Sequence, residues 1–377
     1  MFGNDSLRAL FPVTQRANYL NHAAVSAPPL PTIRAIQSYL ADVSQNGSAN
    51  FRHWLATKEE TRDMLAGLLG AESSQVAFVR NTSDALSTVA NGLNWRAGDN
   101  LVTFRNEFPS NIYPWLRAAK AFNVEVRVCE ERQGRIDLEE LIALIDDRTR
   151  IVAVSHVQFA SGFRIDLEQL GRTARAHNAL LVADVIQSLG VMSVDVQKQL
   201  IDVAAGACHK WLLLPEGLGF LFLSERARER IEPTLVGWVS VPNPDDYLNW
   251  RQGWKEGTLS WETGTGPTAL IYGLRESLRL LTTVGVAHIQ QYLEVLTDHL
   301  CEILADETYE IVSPRAGSQK SQIVCIRHKY GLTPMSLYQH LSRRKIVTAP
   351  RGDRLRISPH FYNTLDEIEE LVHALPR

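Results

Sequence analysis

The chain predicts an α/β protein: a mostly parallel sheet sandwiched by helices, followed by a smaller C-terminal α+β domain. Three observations carry this. Short apolar runs alternate with helix-period segments across residues 75–183. Two of the runs, Ile151-Val152-Ala153-Val154 and Leu180-Leu181-Val182-Ala183, are apolar without interruption, as strands covered on both faces are. Polar residues able to do chemistry fall just past the predicted strand ends, on one edge of the sheet.

The elements follow in order. Residues 20–31, with Pro28 and Pro29, read as an extended arm before a helix. Strands at 75–79, 100–104, 124–129, 150–154 and 179–183 alternate with helices at 83–93, 111–122, 138–145 and 167–178. Two further strands, 201–205 and 220–223, flank a glycine-punctuated turn. Beyond Pro267 the pattern changes to two long helices, 268–283 and 286–306. A strand at 322–327, a helix at 334–344, a strand at 355–358 and a helix at 366–374 complete the chain. These place an arm over 1–30, a larger domain over 31–284 and a smaller one over 285–377.

Composition narrows the function. Of 377 residues, 45% are hydrophobic and 21% charged, an ordinary globular balance. The net charge of -3 and the lack of a basic block argue against nucleic acid or an anionic membrane as partner. No apolar run reaches spanning length. Met1-Phe2-Gly3-Asn4-Asp5 lacks the basic-then-apolar layout of a signal peptide. Cys129, Cys208, Cys301 and Cys325 form no C-x-x-C pair, so neither a metal site nor a disulfide framework is expected. A reducing cytoplasm is the expected location.

The strongest local signal is Ala207-Cys208-His209-Lys210-Trp211, followed by Pro215-Glu216-Gly217-Leu218-Gly219. Lysine is normally a surface residue. Between two apolar strands it loses basicity and becomes an amine nucleophile suited to a Schiff base. The plainer reading is a lysine at a loop mouth. Four other sets share the same edge: Asn81, Thr82 and Ser83; Glu107 and Phe108; His156 and Gln158; Asp184 and Gln187. Asn81-Thr82-Ser83 opens a helix, where free N–H groups and a positive dipole end suit a phosphate as well as a simple cap. Asp184 after a strand also reads as a helix N-cap.

Together these residues resemble the class V aminotransferases, a branch of the fold type I enzymes that use pyridoxal 5′-phosphate. That branch includes cysteine desulfurases, cysteine or cystine C–S lyases, kynureninases and isopenicillin N epimerase-like proteins. The resemblance runs from about Tyr19 to the C-terminus and implies a seven-stranded type of sheet. It implies that Lys210 is the Schiff-base lysine and the base at the substrate Cα. Asp184 matches the carboxylate facing the pyridine nitrogen, and Gln187 the residue at the ring hydroxyl, with Gln158 a further candidate there. Phe108 matches the aromatic ring stacked on the cofactor. Asn81, Thr82, Ser83 and His209 match the phosphate site. Ser260-Trp261-Glu262-Thr263-Gly264-Thr265 resembles a segment that crosses a two-fold interface, which implies a homodimer with shared sites, Thr265 reaching the neighbour's phosphate. Arg356 matches the arginine for the substrate α-carboxylate, and the family layout brings His22 and Asn21 of the arm near the substrate.

One departure from the desulfurases is visible. They carry a nucleophilic cysteine on a loop shortly before the matching arginine, and residues 346–354 contain none. An aminotransferase-type enzyme acting at Cα of an amino acid is expected. A C–S lyase without a persulfide cysteine, or an epimerase-like enzyme, is the alternative within the branch. A non-catalytic protein that binds the cofactor is the alternative of another class. A nicotinamide dehydrogenase is disfavoured, since no G-x-G-x-x-G follows the first strand. The aromatic stretch Trp238, Tyr247, Trp250, Trp254 and Trp261 reads either as a substrate wall or as the apolar centre of a dimer interface.

Overall fold

Seven strands form the main sheet of the computed structural model, which describes residues 5–304 and 308–377. In chain order they are β1 (Val76–Val79), β2 (Asn100–Phe104), β3 (Glu125–Cys129), β4 (Thr149–Ser155), β5 (Leu180–Asp184), β6 (Val203–Ala207) and β7 (Gly219–Leu223). Across the sheet the order is β1-β7-β6-β5-β4-β2-β3. β7 runs antiparallel to both its neighbours, and the other pairings are parallel. The apolar runs explain why these segments pair. Val152, Val154, Leu181 and Ala183 pack into one core; Ile151, Ala153, Leu180 and Val182 pack into the other. Successive residues thus face opposite sides, and both sides are covered.

Several of the helices begin at a side-chain cap. α1 (Leu30–Asn46) and α2 (Phe51–Leu69) precede the sheet. α3 (Thr82–Gly92) starts at Asn81, whose side chain accepts from the Asp84 N–H. α4 (Tyr113–Phe122), α5 (Leu138–Ala143) and α6 (Leu167–Ala176) connect the next strands, the last two capped by Asp137 and Asp166. α7 (Thr268–Val284) and α8 (Val286–Ile303) meet at Gly285, whose φ of 87° breaks the helix. The end expected for α8 at Asp306 lies outside the described residues. A four-stranded antiparallel sheet follows, from β8 (Tyr309–Ile311), β9 (Val324–His328), β10 (Ala349–Arg351) and β11 (Arg354–Ile357). α9 (Pro334–Ser342) and α10 (Leu365–Ala374) pack around it, α10 with a Thr364–Glu367 capping box.

Two findings go beyond the sequence reading. β6 lies two residues later than expected, so that His209 and Lys210 follow it almost directly. The arm carries short helical turns at Asp5–Arg8 and Pro12–Gln15 before α1 begins at Leu30, and it is stitched to the C-terminal region. Asn18 and Tyr19 pair in parallel with Ile346 and Val347, and Ser358 exchanges backbone hydrogen bonds with Leu20 (2.8 Å) and His22 (3.2 Å). No helix among the described residues is long and apolar enough to cross a membrane.

The segment holding Thr265 is anchored by a buried ion pair. Glu262 accepts from Arg62 Nη1 at 2.5 Å, from the Phe78 N–H at 2.8 Å and from Lys58. The two cations hold its carboxyl down to about 2 against the opposing effect of burial. Arg62→Met therefore leaves a buried carboxylate short of a partner. The expected loss is about 3 kcal/mol in urea unfolding, largely recovered in the Arg62→Met/Glu262→Gln double variant.

Candidate active site

The carboxyl ends of β1, β2, β5 and β6 open onto one cleft of about 410 Å³. Asn81, Thr82 and Ser83 line it at the start of α3, Phe108 after β2, Asp184 at the end of β5, and His209 and Lys210 after β6. Arg356 enters from β11. These are part of the set that sequence reasoning singled out at the strand edge, together with the arginine; Glu107, His156, Gln158 and Gln187 of that set do not line the cleft.

Lys210 is 6% exposed, and its Nζ lies 5.3 Å from the centroid of the Phe108 ring. Burial pulls its pKa down; Asp184 opposes this, and Arg356 and Arg351 add to it. Burial pushes the Asp184 carboxyl up, opposed by the Ile186 N–H and by Lys210. Desolvation outweighs the attraction between the two groups. Asp184 Oδ1 accepts from the Ile186 N–H at 3.0 Å, whereas Oδ2 is buried without a partner. Phe108 is half exposed and meets Phe159 edge-on at 5.1 Å. His209 is half-buried; burial, then Lys210, lower its pKa.

Other orphaned polar atoms face the same problem. Thr82 Oγ1 is buried and unpaired at the α3 N-terminus. Arg356 donates Nη1 to the Phe159 carbonyl at 2.9 Å, but its Nε and Nη2 are buried with no partner. Burial and then Arg351 bring the Arg356 pKa down to about 9. Buried polar groups are rarely left unsatisfied, so this set calls for a ligand. It needs a donor for Asp184 Oδ2, an anion at the helix start and a carboxylate for Arg356. Pyridoxal phosphate, with its protonated ring nitrogen and phosphate, fits the first two, and an amino acid fits the third.

Five predicted residues lie elsewhere. Gln158 is buried with its amide engaged by the Asn106 carbonyl and the Ala160 N–H. Gln187 donates to the Ala23 carbonyl at 3.0 Å and accepts from Trp211 Nε1 at 2.8 Å. His22 is fully buried, its ring nitrogens 2.8 Å from the Ser358 carbonyl and 2.7 Å from the Tyr362 hydroxyl. Burial brings its pKa down to about 3. Asn21 forms a parallel bridge with Ser358. Thr265 lines a separate recess of about 460 Å³ beside Glu262 and Arg80.

Sequence reasoning did not single out Ala23, Ala24, Ser110, Phe159 or Arg351, all of which line the cleft. Ser110 had a signal, since it follows Phe108 closely; Ser83 Oγ donates to its Oγ at 2.7 Å. Phe159 and Arg351 reach the cleft through long-range packing that no local pattern reports.

The chain matches the family description "Aminotransferase class-V" over residues 18–371. It is 30% identical over 401 aligned positions to a probable cysteine desulfurase of Methanothermobacter thermautotrophicus, covering 98% of this chain and 97% of that protein. It is 29% identical to the isopenicillin N epimerase of Streptomyces clavuligerus, covering 84% and 83%. The solved apo structure of a cysteine desulfurase from Thermococcus onnurineus NA1 superposes with a TM-score of 0.90 at 26% identity, covering 99% and 97%. The cystine C–S lyase C-DES shares the fold, with a TM-score of 0.90 at 22% identity, covering 96% of this chain and 98% of that one. With the cleft and its orphaned donors, these likenesses make the chain a member of the class-V aminotransferase family, pyridoxal-phosphate-dependent transferases and lyases of amino acid chemistry.

Proposed function

We propose that the protein is a homodimeric aminotransferase-type enzyme that moves the Cα proton of an α-amino acid, with Lys210 as the base. One observation carries the reading: the buried Lys210 amine and the unpaired Asp184 Oδ2 share a cleft with a helix N-terminus and an unsatisfied guanidinium. Pyridoxal phosphate, when bound, supplies an aldehyde for amines and a ring that draws electrons from Cα. Asp184 Oδ2 keeps a proton on the ring nitrogen, its orientation fixed by the Ile186 N–H. Thr82, Ser83 and the N–H groups at the start of α3 hold the phosphate, with Asn81 and His209 beside them. Phe108, which lines the cleft beside Lys210, would supply an apolar face for the ring. Arg356 takes the substrate α-carboxylate with Nε and Nη2. Burial leaves the Lys210 amine neutral more often, ready to accept a proton.

Gln158, Gln187, His22 and Asn21 act one layer out, fixing the loops that carry Phe108, Lys210 and Arg356. Thr265 serves the cleft of the partner subunit. Trp238, Tyr247, Leu248, Trp250 and Trp254 are all exposed, which supports a covering subunit over this side. The smaller unit from 285 onward carries Arg356, and the 31–284 unit carries the cofactor site. All four cysteines are free thiols, which suits the cytoplasm.

The lining also bears on the reaction. Phe108 faces Lys210 and carries no proton, so an epimerisation would lack a second carrier on that wall. No cysteine lines the cleft among the described residues. Cys325 donates to the Ala160 carbonyl at 3.2 Å, and burial pushes its thiol up to about 11. A persulfide-forming step therefore has no carrier. β-Elimination of a sulfur-bearing side chain needs no such thiol and is the second reading.

Glu107 positions Phe108. It is fully enclosed, accepts from the Ser155 hydroxyl at 2.5 Å and the Phe108 N–H at 3.2 Å, and burial lifts it to about 8. The native state thus holds a proton that the unfolded chain releases near pH 4.5.

Three measurements test these assignments. Protein supplied with pyridoxal phosphate gains a visible band that borohydride bleaches; Lys210→Ala lacks it, and Asp184→Asn keeps the bound cofactor but loses more than about 100-fold in rate. Keto acid formed only with an amino acceptor supports transamination. Pyruvate and sulfide from cysteine without an acceptor support the lyase, and a colourless protein overturns both. For Glu107, the stability of the unaltered protein relative to Glu107→Gln isolates the effect: it falls as pH rises from about 4.5 to 8, by up to about 1.4 kcal/mol per pH unit.

A further inference from the structure

We infer that Arg351 is a second anion site of the cleft, and that the substrate is an α-amino acid whose side chain ends in an anion such as a carboxylate. This rests on the reading of Arg356 as the α-carboxylate ligand.

Three arginines share one face of the β10–β11 hairpin. Arg351 lies opposite Arg354 and Ala349 opposite Arg356, and opposed residues of an antiparallel pair project to the same side. Only the middle one is neutralised. Arg354 pairs with Asp353 at 3.0 Å and with Glu131 at 3.7 Å. Among the described residues, no carboxylate forms an ion pair with Arg351 or Arg356. Arg351 donates Nη1 to the neighbouring Pro350 carbonyl at 2.7 Å, its one hydrogen bond. Burial lowers its pKa, as burial and Arg351 itself lower that of Arg356.

The charge inventory then decides what the cleft will take. Its lining holds two guanidinium groups, Arg351 and Arg356, and the Lys210 amine against one carboxylate, Asp184. On the proposed reading, Asp184 would answer the ring nitrogen and the α3 N-terminus would take the phosphate. An α-carboxylate satisfies one guanidinium. The other remains half-buried beside a like charge, a costly arrangement unless a second anion meets it. A neutral side chain, such as that of cysteine, leaves Arg351 unmatched. A side-chain carboxylate or sulfinate completes the pair.

Titration calorimetry of the holoenzyme at fixed ionic strength, with succinate and with butyrate as probes, tests this. Succinate should bind roughly tenfold more tightly than butyrate. Arg351→Gln should bring succinate to the butyrate level, while Arg356→Gln weakens both. Equal binding of the two probes by the unaltered protein overturns the inference without any variant. So does an Arg351→Gln protein that loses both probes alike, which would make Arg351 a second ligand of the α-carboxylate. The cofactor reading fails separately, by absence of a borohydride-trapped adduct at Lys210. Loss of the dicarboxylate preference in protein that does carry the adduct overturns this inference alone.

Discussion

Desolvation of the Lys210 amine beside the Asp184 carboxylate is the constraint on which the site turns. In water the two groups would carry opposite full charges. Enclosed at the strand ends, each is pushed toward its neutral form, the lysine downward and the aspartate upward. Their attraction only moderates this. A salt bridge would have fixed both groups in charged forms and left the amine protonated. The cleft instead keeps an amine able to give up and regain a proton, opposite an acceptor atom that nothing in the chain satisfies.

The backbone around that pair is drawn close by small residues. β6 reads Val203-Ala204-Ala205-Gly206-Ala207, and Gly206 stands opposite Phe220 of β7. A Cβ at Gly206 would lie 2.9 Å from the Phe220 ring. Gly219 does the same at the strand end: a Cβ there would meet the Gly206 carbonyl at 2.7 Å and the Asn81 Cα at 3.0 Å. The start of α3, with its free N–H groups, is thereby held against the strand that leads into Lys210. The glycine-punctuated turn visible in the sequence therefore brings the N-terminus of α3 up to the amine end of the cleft.

What the sequence makes legible follows from how far each signal reaches. Strands buried on both faces are apolar in every position, so β4 and β5 stand out without any partner in view. Residues just past strand ends inherit their place from the sheet, which is why Asn81, Phe108, Asp184 and Lys210 could be grouped. The hairpin of β10 and β11 offers no such run: it is short, arginine-rich and contains Pro350. The sequence carries no signal for β10, and Arg351 reads there only as one more arginine near Arg356. Gln158 and His22 carried the right chemistry in the right region. Their polar atoms are spent on the backbone of Asn106, Ala160 and Ser358 and on the Tyr362 hydroxyl, pairings set largely by tertiary packing. Thr265 stands in its own recess because the Arg62–Glu262 pair holds its segment to α2.

The arm explains how two sheets share one cleft. Lys210 belongs to the seven-stranded sheet and Arg356 to the four-stranded one. Between them run residues 20–26. Leu20 and His22 exchange backbone bonds with Ser358, two residues past Arg356; the Ser26 N–H bonds the His209 carbonyl at 2.9 Å, one residue before Lys210. Gln187 clasps the Ala23 carbonyl between these points. The separation of amine and guanidinium is thus set by a short strap bonded at both ends. With that geometry fixed, the chemistry can vary through the hairpin tip alone. Residues 346–354 are where the desulfurase pattern calls for a thiol, and this chain sets an unpaired guanidinium there instead. Under the proposed reading, the hairpin tip can vary while the strap and the buried Lys210–Asp184 pair stay in place.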